Sequence, residues 1–117
     1  MQREPMEDRM RLGLLLDYYG ALLTENRREL LEMTLDEDLS LGEISEQKGI
    51  SRQGVHDALL KGRQQLNETE KKLGFVRRDE QIIELLTVLR REILPENEGV
   101  RVIFEELGEL LGGTYGI

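Results

Sequence analysis

Cysteine is absent, so neither a disulfide framework nor a cysteine-ligated zinc finger is open to this chain of 117 residues. Tryptophan is absent as well, and the aromatic content is only 4%. The two prolines leave long stretches without a helix breaker. There is one histidine, His56, and no Ser-His-Asp or metal-ligand spacing can be assembled around it. That points away from an enzyme, a metal and any other cofactor. No apolar run approaches the roughly 20 residues that cross a bilayer. The acidic, arginine-containing N-terminus holds no signal-peptide core. A soluble, cytoplasmic protein without membrane contact is the expectation. Positive charge is also scarce, with 16 Lys and Arg against 24 Asp and Glu and a net charge of −8.

What is present favours helix. Charged residues make up 34% of the chain and leucine is abundant, a composition that predicts an all-α fold. Residues 1–5 read as a short disordered lead. A helix is expected over 7–19, with Met10, Leu14, Leu15 and Tyr18 on its apolar stripe. After a break at Gly20, Thr24 is placed to cap a helix through Leu35, whose core face carries Leu30, Leu31 and Leu35. Asp36, Glu37 and Asp38 form an acidic connector. A calcium loop would need further oxygen ligands and a closing Glu that are missing.

Residues 40–61 carry the most informative pattern, that of a helix-turn-helix. Ser40 with Glu43 three residues later is a capping box. Gly49 offers the position where the turn between helices needs positive φ, and Ser51 caps a second helix. Ile44, Ile50, Val55 and Leu59 are spaced to bury one face, with Ser45 small where the helices approach. Arg52, Gln53 and His56 are then left on the exposed face at the start of the second helix. In DNA-binding units of this kind such positions enter the major groove. The same pattern also fits a helical corner that touches no nucleic acid, with these three residues merely solvated.

The second helix is expected to run on to Gly74, with Val55, Leu59, Gly62, Leu66, Thr69 and Leu73 as an apolar seam and a bend allowed at Gly62. A further helix is expected over 79–94, with Ile82, Leu85, Leu86, Leu89 and Ile93 on one face. A break over 95–99 follows, then a helix over 100–111 carrying Ile103, Phe104, Leu107, Leu110 and Leu111. Residues 112–117 form a glycine-rich tail expected to fray. Charge divides unevenly: residues 1–39 carry 5 basic and 10 acidic side chains, residues 40–74 carry 6 and 5, and residues 75–117 carry 5 and 9. The motif is the least acidic part of the chain.

Four blocks resemble the YlxM family of small bacterial helix-turn-helix proteins, whose genes adjoin that of the signal recognition particle GTPase. They are residues 18–24 (YYGALLT), 38–44 (DLSLGEI), 50–53 (ISRQ) and 70–73 (EKKL). The motif is also similar to the promoter-reading C-terminal region of sigma factors. The resemblance covers about residues 10 to 75. It implies a DNA-binding regulatory protein with a role in the signal recognition particle pathway. Ser51, Arg52 and Gln53 match the family's recognition-helix start. The chain departs from the family pattern at Gly54, where Ala is usual, at His56, where Tyr is usual, and at Ala58-Leu59, where Asn-Ile is usual. Lys61-Gly62 stands in place of a Lys-Arg pair, so one basic residue of that pair is lost.

The resulting expectation is an all-α, sigma-factor-region-4-like helix-turn-helix bundle over 6–74, with a long helix and a C-terminal helical extension over 75–117. DNA is the expected partner, through Ser51, Arg52, Gln53, His56 and Lys61. The alternative is an interaction protein that docks on a signal recognition particle component without binding DNA. A single short reading head with little positive charge further predicts a homodimer, through the C-terminal helices.

Overall fold

Local chemistry sets most of the helix ends. The computed structural model describes residues 5–93 and 97–111, and among them the fold is all-α, without a strand. Helix α1 (Pro5–Tyr19) begins at a proline, whose fixed φ suits a first helical turn. A 3-10 turn (Gly20–Leu22) leads to α2 (Glu25–Leu35), capped by Thr24, whose hydroxyl accepts the Arg27 amide. Helix α3 (Leu41–Lys48) is followed by the long α4 (Arg52–Leu73). Gly74, at φ 65°, ends α4 in the left-handed conformation that a glycine adopts freely. Helices α5 (Phe75–Glu92) and α6 (Glu98–Leu110) follow, with Asn97 capping α6.

The chain divides into two compact units, Met1–Gly74 and Phe75–Ile117. In the first, α4 is the central element and packs against α1, α2 and α3. Leu15, Leu30, Leu31, Ile44, Val55 and Leu66 are all but fully buried there. Each such aliphatic side chain contributes about 1.5–3 kcal/mol by leaving water.

Three expectations need correction here. The buried face of α1 is Leu12, Leu15, Leu16 and Tyr19, one residue away from the expected stripe, and Met10 is 70% exposed. The seam of α4 ends differently: Thr69 is half-buried and Leu73 exposed, while Glu70 is buried. The Tyr19 hydroxyl donates to the Glu70 carboxylate at 2.5 Å, which makes that burial tolerable. Gly62 produces no interruption of α4. A Cβ there would lie 2.9 Å from Leu31 Cδ1, so the glycine permits close approach of α2.

In the second unit, α5 begins at Phe75 rather than at Asp79, because the left-handed Gly74 ends α4 and the next helix follows it without a loop. Arg78 braces the first turn, with its guanidinium 5.0 Å from the Phe75 ring centre and 3.2 Å from Asp79 Oδ1. Val76, Asp79 and Phe104 are buried, but Ile82, Leu85 and Leu89 on the expected apolar face of α5 are exposed. Ile103 and Leu110 of α6 are exposed as well. Helix α6 starts at Glu98, inside the expected break. The expected helix end at Leu94, the start of the break at Pro95, the fraying tail 112–117 and residues 1–4 of the expected lead lie outside the described residues.

Candidate nucleic-acid interface

The α3–α4 corner is built from contacts between near neighbours in sequence. Ser40 and Glu43 exchange the two bonds of a capping box, each at 3.1 Å. The turn closes around Ser45. Its carbonyl accepts the Gly49 amide at 2.9 Å and the Ile50 amide at 3.3 Å, and its hydroxyl donates to the Ile50 carbonyl. Gly49 sits at φ 68°, a conformation that costs most residues with a Cβ about 1–2 kcal/mol. Ile44 and Val55 close the corner from inside, and neither is exposed at all. Lys48, at the end of α3, pairs with Glu29 of α2 and ties the corner to the bundle. Ile50, expected in this core, is 40% exposed; its backbone serves the turn while its side chain faces outward.

This corner presents the start of α4 to solvent. The Ser51 hydroxyl accepts the Gly54 amide at 2.9 Å, so its first role is to cap the helix. Arg52, Gln53 and His56 are exposed. The Arg52 guanidinium lies across Gly42 at the start of α3, where an added Cβ would be 3.0 Å from Arg52 Nη2. Gly42 thus leaves a shelf for the planar group, a function the sequence reading missed. Gln53 Nε2 donates to Asp57 Oδ1 at 2.9 Å, one turn on. That bond uses one amide hydrogen and leaves a donor and the carbonyl acceptor for another partner.

Lys61 is exposed too, but it does not join this group. It follows Arg52 by nine positions, and at about 100° per residue that is half a turn away on the helix. Arg52, Gln53 and His56 share an approach surface, while Lys61 points away from Arg52 on the opposite side of the helix. Among the described residues, no group of His, Cys, Asp or Glu could hold a metal ion, and no helix is long and apolar enough to cross a membrane.

Comparison with known proteins bears directly on this corner. The profile of the family described as "Putative helix-turn-helix protein, YlxM / p13 like" matches residues 6–104. A UPF0122 protein of Thermoanaerobacter sp. (strain X514) is 46% identical over 94 residues, spanning 79% of this chain and 80% of that protein. One from Desulforamulus reducens is 43% identical over 88 residues, spanning 72% of this chain and 75% of that protein. A relative from Clostridium botulinum is 34% identical over 109 residues and is matched along its whole length, with 90% of this chain covered. The family match runs from α1 into α6 and takes in both caps, the turn glycine and the exposed start of α4. The chain belongs to the UPF0122 family of YlxM/p13-like helix-turn-helix proteins.

Proposed function

We propose that this protein binds double-stranded DNA through the first turns of α4 and acts as a cytoplasmic regulator of transcription rather than as an enzyme. The observation that carries the reading is the pair Arg52 and Gln53, exposed at the N-terminus of a helix held by a closed helix-turn-helix corner. Both residue types make bidentate contacts to base edges, Arg to guanine and Gln to adenine, each worth about 1–3 kcal/mol of discrimination. His56, one turn on, adds a donor toward base or phosphate.

The net charge of −8 argues for modest affinity, because release of counterions from many phosphates drives non-specific binding. Exposed charges more than about 8 Å apart are largely screened at physiological salt, so the field at the corner outweighs the total. Modest affinity per chain makes a second copy useful, and the exposed apolar residues of α5 support a homodimer through the second unit.

The acidic surface favours a second reading. Asp36, Glu37 and Asp38 are all exposed, and the chain as a whole is suited to a basic partner. Docking on a signal recognition particle component would use that charge, and the family's gene neighbourhood points the same way. Selection of duplexes from a random library by the full chain, beside a pull-down scored for nucleic acid and for protein, tests both. Enrichment of one duplex family that is lost in Arg52→Ala supports DNA recognition. Capture of the particle with no enriched duplex supports docking and removes the DNA reading.

A further inference from the structure

An open groove of about 400 Å³ lies between α1 and α4, away from the recognition turns. Arg9 and Arg11 of α1 and Arg63 and Asn67 of α4 line it, together with Asp8. The lining thus holds three guanidinium groups and one carboxylate, on a chain that is acidic overall, and Asp38 adds a second carboxylate at Arg9. Arg9 reaches the Leu35 carbonyl at 3.2 Å and Asp38 at 3.4 Å, the second an exposed pair that water and salt weaken. Arg63 is exposed and pairs with no carboxylate among the described residues. Nothing in the α3–α4 corner requires this arrangement.

Helix geometry connects the groove to the recognition surface. Arg63 follows Arg52 by eleven positions, which at about 100° per residue returns to within about 20° of the same face. His56 lies between them on that side. At about 1.5 Å per residue the two arginines are separated by about 16 Å along the axis. The major groove of B-DNA is about 12 Å wide. A helix that enters the groove end-on, with its first turn at the base edges, carries Arg63 out of the groove to the level of the phosphates on its rim.

We infer that the α1–α4 groove is a phosphodiester clamp, in which Arg63 and Arg11 hold the DNA backbone that flanks the site read by Arg52. The inference rests on the DNA-binding reading above and supplies what that reading lacks. Residues 40–74 carry only one more basic than acidic side chain, and α1 brings in two arginines from an acidic segment. A guanidinium fork matches phosphate oxygens in pairs, which suits arginine to this position. Phosphate contacts fix register and orientation without reading sequence, so the clamp and Arg52 have separable effects.

The test titrates the full chain, across a salt series, onto the duplex enriched by selection and onto a scrambled duplex of equal length. Arg63→Gln should weaken both duplexes by the same factor and lower the slope of log affinity against log salt by about one. Arg11→Gln, on the other wall, should do the same. Arg63→Lys, which keeps the charge, should keep the wild-type slope. Unchanged affinity and slope in Arg63→Gln, with wild type binding, would overturn the clamp. A loss confined to the selected duplex would overturn it too, by making Arg63 a base reader. Arg52→Ala separates the two ideas, since its loss should fall on the selected duplex alone. If Arg52→Ala changes neither duplex while Arg63→Gln weakens both, base reading by Arg52 fails and the clamp stands. Arg63 is exposed, and matching thermal melts by circular dichroism confirm that the variant is folded.

Discussion

At Gly62 two effects of known sign oppose each other. Alanine would gain about 1 kcal/mol of helix propensity over glycine. Its Cβ would also press on Leu31 Cδ1, and Leu31 is 1% exposed with no solvent to move into. Overpacking of this kind costs about 1–3 kcal/mol, so Gly62→Ala should lose about 1 kcal/mol net and melt a few degrees lower. A higher melting temperature would show that Leu31 gives way. Tyr19→Phe removes the hydroxyl that donates to the buried Glu70 carboxylate and should cost about 1–3 kcal/mol by denaturant unfolding. A loss below a few tenths would mean that Glu70 has recovered its solvation. Neither role was legible in the sequence. A glycine inside a helical pattern reads as a weak point until the neighbouring helix is in place. A glutamate at a seam position reads as exposed until a tyrosine 51 residues earlier is brought to it. Arg52 and Gln53 were legible as exposed residues because their placement depends only on the cap at Ser51 and the period of one helix.

The same division between local and distant causes holds for whole elements. Caps join residues three positions apart, and Ser40 with Glu43, Gly49 and Ser51 stand where the sequence puts them. The face of α1 could not be read that way. Leucines at 12, 14, 15 and 16 allow two apolar stripes one residue apart, and only packing against α2 and α4 selects Leu12, Leu15, Leu16 and Tyr19. The outward turn of Ile50 has a similar origin, since the Ser45 bonds that close the turn fix its backbone and leave the corner to Ile44 and Val55. Two variants test the corner as a unit. Val55→Asp places an unpaired carboxylate where no part of the side chain meets water, a loss of about 3–5 kcal/mol that should abolish the helical circular dichroism of a marginally stable unit. A stable Val55→Asp protein would mean that the faces of α4 are misassigned. Gly49→Val forces a β-branched residue to positive φ and should cost about 1–2 kcal/mol, with Gly49→Asn milder because asparagine tolerates that region.

At the scale of the molecule the open question is what the second unit does with its apolar surface. Ile82, Leu85 and Leu89 follow one another at steps of three and four along α5 and are 39%, 71% and 49% exposed. A helix of a monomeric protein normally turns such a stripe inward. The stripe was legible in the sequence, but its period cannot tell a core face from an interface. Two-fold pairing would cover it on both copies at once, and a two-fold axis is the commonest symmetry of soluble assemblies. It would also duplicate the reading head. Dimeric helix-turn-helix proteins meet half-sites about 34 Å apart, so the selected duplex should contain an inverted repeat. Light scattering on the full chain at micromolar concentration should return twice the 13.5 kDa chain mass. Leu85→Asp, at a position already largely in solvent, should return the monomer mass with the melting of the first unit unchanged and with loss of the wild type's preference for the repeat over a single half-site probe. A wild-type chain that scatters as a monomer would remove the dimer. A dimer that persists after truncation at Gly74 would move the interface into the first unit, and the stripe on α5 would then need a different partner.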